Sequence, residues 1–106
     1  MQLFLQTIGG INDETRLRIL RFIAMHGTVC VCDIERSFDM IQSRISRHLK
    51  ILKEAGFLRL ERKGRWAHYT IRTPLDVFRQ SVLNEIACIE MEIPLLVRGC
   101  DTDDNR

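Results

Sequence analysis

The stretch TVCVCDIERSFDMIQSRISRHLKILKEAGF, residues 28–57, decides the reading of this chain. In its second half Ile41, Ile45, Leu49 and Leu52 recur at intervals of four, four and three. That is one apolar stripe of a helix over residues 41–55, stopped by Gly56. The first half, residues 30–38, reads as a shorter helix with Val31, Ile34 and Phe38 turned inward. Asp39 is a turn residue between them, so the pair forms a helix-turn-helix. The same stretch opens with Cys30-Val31-Cys32-Asp33, two soft ligands at the start of the first helix.

Downstream, Leu58 and Leu60 alternate with Arg59 and Glu61, and Ala67, Tyr69 and Ile71 alternate with Trp66, His68 and Thr70. This predicts a two-stranded hairpin with one buried face and a basic tip at Arg62-Lys63-Gly64-Arg65. Upstream, Asn12 or Asp13 caps a helix whose core face is Leu17, Leu20, Ile23 and Ala24, and which His26-Gly27 ends. Leu3, Phe4, Leu5 and Ile8 predict a short helix ended by Gly9-Gly10. A last helix is expected from Pro74 to a stop or kink at Pro94, with Leu75, Phe78, Val82, Ile86, Ile89 and Ile93 on one side. The fold class is mainly α with a small β hairpin (α+β), a winged helix-turn-helix. The apolar surplus on the first and last helices predicts a homodimer joined through them. Residues 1–98 form one DNA-binding and dimerisation domain, and residues 99–106 a polar, disordered tail.

A chain of 106 residues with 45% hydrophobic and 28% charged residues fits one globular domain. No apolar run approaches the roughly 20 residues of a membrane span, and the N-terminus lacks the basic region of a signal peptide. A cytoplasmic location without membrane contact is expected, where four cysteines suggest metal binding or reactivity before disulfides. Residues 44–72 hold nine Lys or Arg against two acids, in a chain whose net charge is only +2. A basic segment on an acidic body is the footprint of a nucleic-acid surface.

On the second helix of the pair, Gln42, Ser43, Ser46, Arg47 and Lys50 lie away from the apolar stripe. The early ones occupy the end that helix-turn-helix proteins push into the major groove. Gln42 suits adenine, and Arg44 or Arg47 suits guanine. Ser43 and Ser46 are small enough to let backbone approach phosphate. Arg62, Lys63 and Arg65 at the hairpin tip would touch phosphate or minor groove, contacts that position rather than specify. His48 borders the stripe and is expected to be hydrogen-bonded against the core.

Thiolates select soft ions, and helix-start N–H groups favour the thiolate. Residues i and i+2 of a regular helix point about 200° apart, so Cys30 and Cys32 share one ion only if that turn distorts. Two cysteines complete neither a pyramid of three thiolates nor a tetrahedron of four ligands. Cys88 or Cys100, from the same or the partner subunit, or an outside thiol would supply the rest. Cys88 is read as a small buried core residue ahead of a ligand, whereas for Cys100 ligand and bystander are even.

Residues 12–20 (NDETRLRIL), CVCD at 30–33, SRHLKILKEAGFL at 46–58 and KGRWAHY at 63–69 together resemble the ArsR/SmtB family, in the same order and spacing. These are bacterial winged-helix repressors that leave DNA on binding a metal or metalloid. The resemblance implies double-stranded operator DNA as partner, a homodimer through the first and last helices, and no required cofactor. CVCD resembles the inducer site of the arsenic- and antimony-responsive branch, the arsenical-resistance operon repressors, and also that of the cadmium- and lead-responsive branch. The chain departs from both. Glu35 stands where arsenical repressors often have a third cysteine, and no cysteine precedes Cys30. No His lies in residues 74–96, so the zinc site that some relatives carry on the last helix is not expected. The implied inducer is As(III) or Sb(III), with Cd(II), Pb(II) or Zn(II) at the same cysteines as the alternative. A thiol redox switch is a further alternative. No nucleophile–base pair, phosphate loop or hydrolase spacing suggests an enzyme.

Overall fold

The computed structural model of the chain describes residues 1–98; the tail, 99–106 with Cys100, lies outside the described residues. Five helices and a three-stranded antiparallel sheet follow one another: α1 (Gln2–Ile11), α2 (Glu14–His26), β1 (Val29–Cys30), α3 (Val31–Phe38), α4 (Gln42–Glu54), β2 (Leu58–Lys63), β3 (Trp66–Ile71) and α5 (Val77–Cys88). The helix-turn-helix and wing stand where the periodicities place them. Asp39, at φ 54°, makes the left-handed turn between α3 and α4, a conformation that Asp tolerates.

The core gathers where α2, α3, α4 and the sheet meet. Asp13 caps α2 by accepting the Arg16 N–H at 3.0 Å. The buried face of α2 is Ile19, Leu20, Phe22 and Ile23; Ala24, expected inside, is exposed. The face is rotated because Phe22 packs edge-on against Phe38 of α3, ring centroids 5.2 Å apart, and so fixes which side points in. α1 does not end at Gly9-Gly10. It runs to Ile11, and Gly10 is a contact point: a Cβ there would stand 2.6 Å from the Ala55 Cβ. The glycine lets α1 close on the end of α4.

Two departures shape the site. First, a two-residue strand, β1, pairs with the wing, and the sheet order is β1-β3-β2. Val29 faces Tyr69 and Cys30 faces His68. Second, the last helix is shorter than its apolar stripe. It begins at Val77, capped by Asp76 rather than opened by Pro74, and ends at Cys88. Arg21 of α2 donates to the carbonyls of Ile86 and Ile89, taking acceptors that a continuing helix would use. Residues 89–98 then turn back over the body, where Met91, Ile93 and Leu96 pack on the core. Part of the apolar surplus is therefore consumed within the chain. Ile89, Leu95 and Val97 stay exposed, as do Leu3, Phe4 and Leu5 on α1 with Val77 and Phe78 on α5; the Phe4 and Phe78 rings lie 5.7 Å apart.

Candidate nucleic-acid interface and sulfur pair

Ile45, Leu49 and Leu52 are wholly buried, which turns Gln42, Ser43, Arg44, Ser46, Arg47 and Lys50 to solvent along one face of α4. Ile41 is not part of the stripe. It is the N-cap, with extended backbone, and is 64% exposed. Arg62, Lys63 and Arg65 are exposed at the wing tip, with the Arg65 guanidinium 5.4 Å from the Trp66 ring centroid. His48 is half-buried against α2, its Nδ1 3.2 Å from Arg16 Nη1. Burial holds its pKa below the usual imidazole value; Asp13 opposes this, while Arg16, Arg44 and Arg47 add to it.

The sulfurs sit beside this surface. Cys30 ends β1 and is the N-cap of α3, with φ −81° and ψ 152°, while Cys32 lies inside the first turn. An extended N-cap does not follow the 100° step of a helix. The two Sγ atoms therefore converge, 2.9 Å apart, without distortion of the helix. The expectation that the pair shares an ion only through a distorted turn is corrected. Asp33, buried, accepts the Cys30 N–H at 3.0 Å and caps the same turn. His68 faces Cys30 across the β1–β3 ladder, and its buried Nδ1 has no hydrogen-bond partner among the described residues.

Cys30 and Cys32 open into a groove of about 650 Å3. Gln42, Ser46 and Lys50 of α4 form one wall, and Arg62, Arg65 and Trp66 of the wing form another. Sulfur pair, reading helix and wing thus share one space. Cys88 is elsewhere: it is exposed at the end of α5, not a buried core residue. Among the described residues no three His, Cys, Asp or Glu side chains gather closely enough to hold a metal ion.

Arginines tie the frame together, and sequence periodicity did not reveal them. Arg79 of α5 donates to the Ala55 carbonyl at 2.9 Å and to Thr7 Oγ1 at 2.7 Å, joining α5 to the end of α4 and to α1. Gly56 makes room for it, since a Cβ there would meet the guanidinium at 2.7 Å. Arg16 donates to the Gly10 carbonyl at 2.7 Å and completes the end of α1. The available signal was indirect: each is an arginine at a position flanking an apolar stripe.

Residues 13–59, the helix-turn-helix with its flanks, match the family described as bacterial regulatory protein, arsR family. Over 84% of its length the chain is 34% identical to the arsenical resistance operon repressor of Escherichia coli K12, covering 77% of that protein. The chain belongs to the arsR family. It is also 35% identical to the arsenical resistance operon repressor of Bacillus subtilis 168, over 78% of this chain and 76% of that protein. The AntR antimony-specific transcriptional repressor superposes with a TM-score of 0.65 at 28% identity, over 80% of this chain and 74% of that one. Membership makes α3–α4 the DNA-binding helix-turn-helix of a transcriptional repressor. The family is one of regulators, not enzymes. Among the described residues no helix is long and apolar enough to cross a membrane.

Proposed function

We propose that this repressor binds operator DNA as a homodimer and leaves it when As(III) or Sb(III) bonds Cys30 and Cys32. The observation that carries the reading is the 2.9 Å approach of the two sulfurs at the edge of the groove formed by α4 and the wing. An ion bonded to both must sit between them and push them apart. Cys30 is paired with the wing through β1, and Cys32 rides on α3, which packs on α4. Separating the sulfurs therefore moves the wing relative to the reading helix, the two parts that must meet DNA together. Names of relatives that answer to arsenic and antimony favour the metalloid. Donor count favours it too, because two converged sulfurs need one more for a pyramid and two more for the tetrahedron of a divalent ion.

Gln42, Ser43, Arg44, Ser46, Arg47 and Lys50 read the major groove, with Arg62, Lys63 and Arg65 on the backbone. The exposed patch of Leu3, Phe4, Leu5, Val77 and Phe78 is the dimer surface. Fluorescence anisotropy of labelled operator DNA tests the reading, titrated with arsenite, antimonite, cadmium, lead, zinc and peroxide. Release by arsenite or antimonite at the lowest concentrations is expected. Release by cadmium, lead or zinc first would move the inducer to the divalent class. Release by peroxide alone would make the chain a redox switch.

A further inference from the structure

The chain caps its helices unevenly. α2 and α5 begin with Asp13 and Asp76, whose carboxylates accept the backbone N–H groups of Arg16 and Arg79. α4 begins with Ile41, whose side chain has no acceptor and makes no capping bond. Isoleucine ranks far below Ser, Thr, Asp and Asn at an N-cap, and a helix that starts on it is the weaker for it. The core gains nothing from this side chain either. Met40 before it packs on the core and Ile45 after it is wholly buried, yet Ile41 stands 64% exposed between them. Among the described residues from 28 to 76 it is the one large hydrophobic side chain left exposed. Single apolar residues on a surface are ordinary. This one is set apart by its seat, at the helix start beside exposed Gln42, Ser43 and Arg44.

We propose that Ile41 is a specificity-determining residue that packs against the C5 methyl group of a thymine in the major groove of the operator. The proposal rests on the reading of α4 as the helix that enters that groove. Helix-turn-helix proteins insert the N-terminal end of the second helix, so its N-cap reaches the base edges with the residues that follow. Every base pair shows donors or acceptors there, and thymine alone adds an apolar group, its methyl. Gln42 and Arg44 can address the polar edges, whereas a branched hydrocarbon can address only the methyl. Against a phosphate, isoleucine would strip water from an anion and return no hydrogen bond. A protein partner fits worse, because one apolar side chain among Gln42, Ser43 and Arg44 is not a patch. Burying one methyl group strengthens binding about fourfold, and a symmetric dimer gains that in each half-site. Cap and burial are thereby given up for base selection.

Deoxyuridine lacks only the C5 methyl of thymidine, so it isolates the contact. The probe is a duplex that the full-length parent protein enriches from a random-sequence library. Its thymines are replaced by deoxyuridine one position at a time, and binding is read by fluorescence anisotropy. The parent is expected to lose about fourfold in affinity at one thymine of each half-site. Ile41→Ser is expected to bind the thymine duplex about fourfold more weakly and to make no distinction between thymine and deoxyuridine at that position. Ile41→Val keeps a branched hydrocarbon and should keep most of the distinction. Stability should move the other way: serine supplies the missing cap, so Ile41→Ser should raise the urea midpoint. Weaker binding by a more stable variant separates a lost contact from a damaged fold. Equal deoxyuridine losses in the parent and Ile41→Ser at every position would overturn the proposal. So would a parent indifferent to every thymine methyl. Enrichment of no sequence by the parent would instead remove the reading of α4 on which the proposal rests.

Discussion

The reading helix and the start of the sulfur-bearing helix face one groove but are held in different ways. α4 is anchored by Ile45, Leu49 and Leu52, all without exposure, and by the Gly10–Ala55 approach of α1. The first turn of α3 is held by directional polar ties: Asp33 to the Cys30 N–H, Arg98 to Asp33, and the short β1 pairing with β3. Close packing resists displacement in every direction, whereas a few polar ties can be shifted by one strong new bond at their centre. On the proposed function, this difference would keep a rigid DNA-facing helix beside a site free to respond to an ion.

The largest effect is expected from breaking the rigid side. Leu49→Ala should lower unfolding free energy by about 2–5 kcal/mol, read by urea denaturation. A loss below about 1 kcal/mol would mean that α4 is not the packed member of the pair. Next comes the subunit surface. Phe4→Ala with Phe78→Ala should weaken dimerisation by about 2 kcal/mol in sedimentation equilibrium, with the subunit fold intact by circular dichroism. Unchanged association would remove the α1–α5 patch from the interface.

Smaller changes sharpen the DNA side. Arg47→Ala should cost about 1–3 kcal/mol and relax sequence preference, whereas Lys63→Ala should weaken all sequences alike and lower the salt slope by about one unit. Identical uniform losses would erase the division between helix and wing. The smallest effect concerns His48. Its folded pKa is depressed, chiefly by burial. Between the folded and unfolded values the unfolded chain binds more protons, so stability rises with pH through that window and is lowest below it. The urea midpoint should therefore fall as pH drops below about 6.5, and His48→Asn should flatten that part of the dependence. An equal slope in the variant would assign the titration elsewhere.

What was legible in the sequence follows from length and period. α4 and the wing strands repeat their apolar positions often enough to declare helix and strand, and Gly56 marks the stop. The solvent face of α4, with its DNA-facing candidates, follows from the same stripe. β1 has only two residues and no period to detect, so the sequence pattern reads Cys30 as helical and does not show its convergence on Cys32. The end of α5 is hidden from the sequence for another reason. Its apolar stripe continues to Ile93, but Arg21, distant in sequence, takes the last carbonyls and the stripe folds onto the body instead. Arg98 meeting Asp33 is likewise a long-range pairing that no local pattern announces.

The proposed switch is the converged pair of sulfurs on Cys30 and Cys32. The direct measurement is arsenite titration of the operator complex of the Cys30→Ser, Cys32→Ser double variant, beside the parent, by anisotropy. Serine is close to cysteine in size and both positions lie off the reading face of α4, so the variant should bind operator within about threefold of the parent, or roughly 0.6 kcal/mol. It should stay bound through arsenite concentrations that empty the parent complex, because a hydroxyl supplies no thiolate. Release of the double variant at the parent's arsenite concentration would mean that this sulfur pair is not the switch.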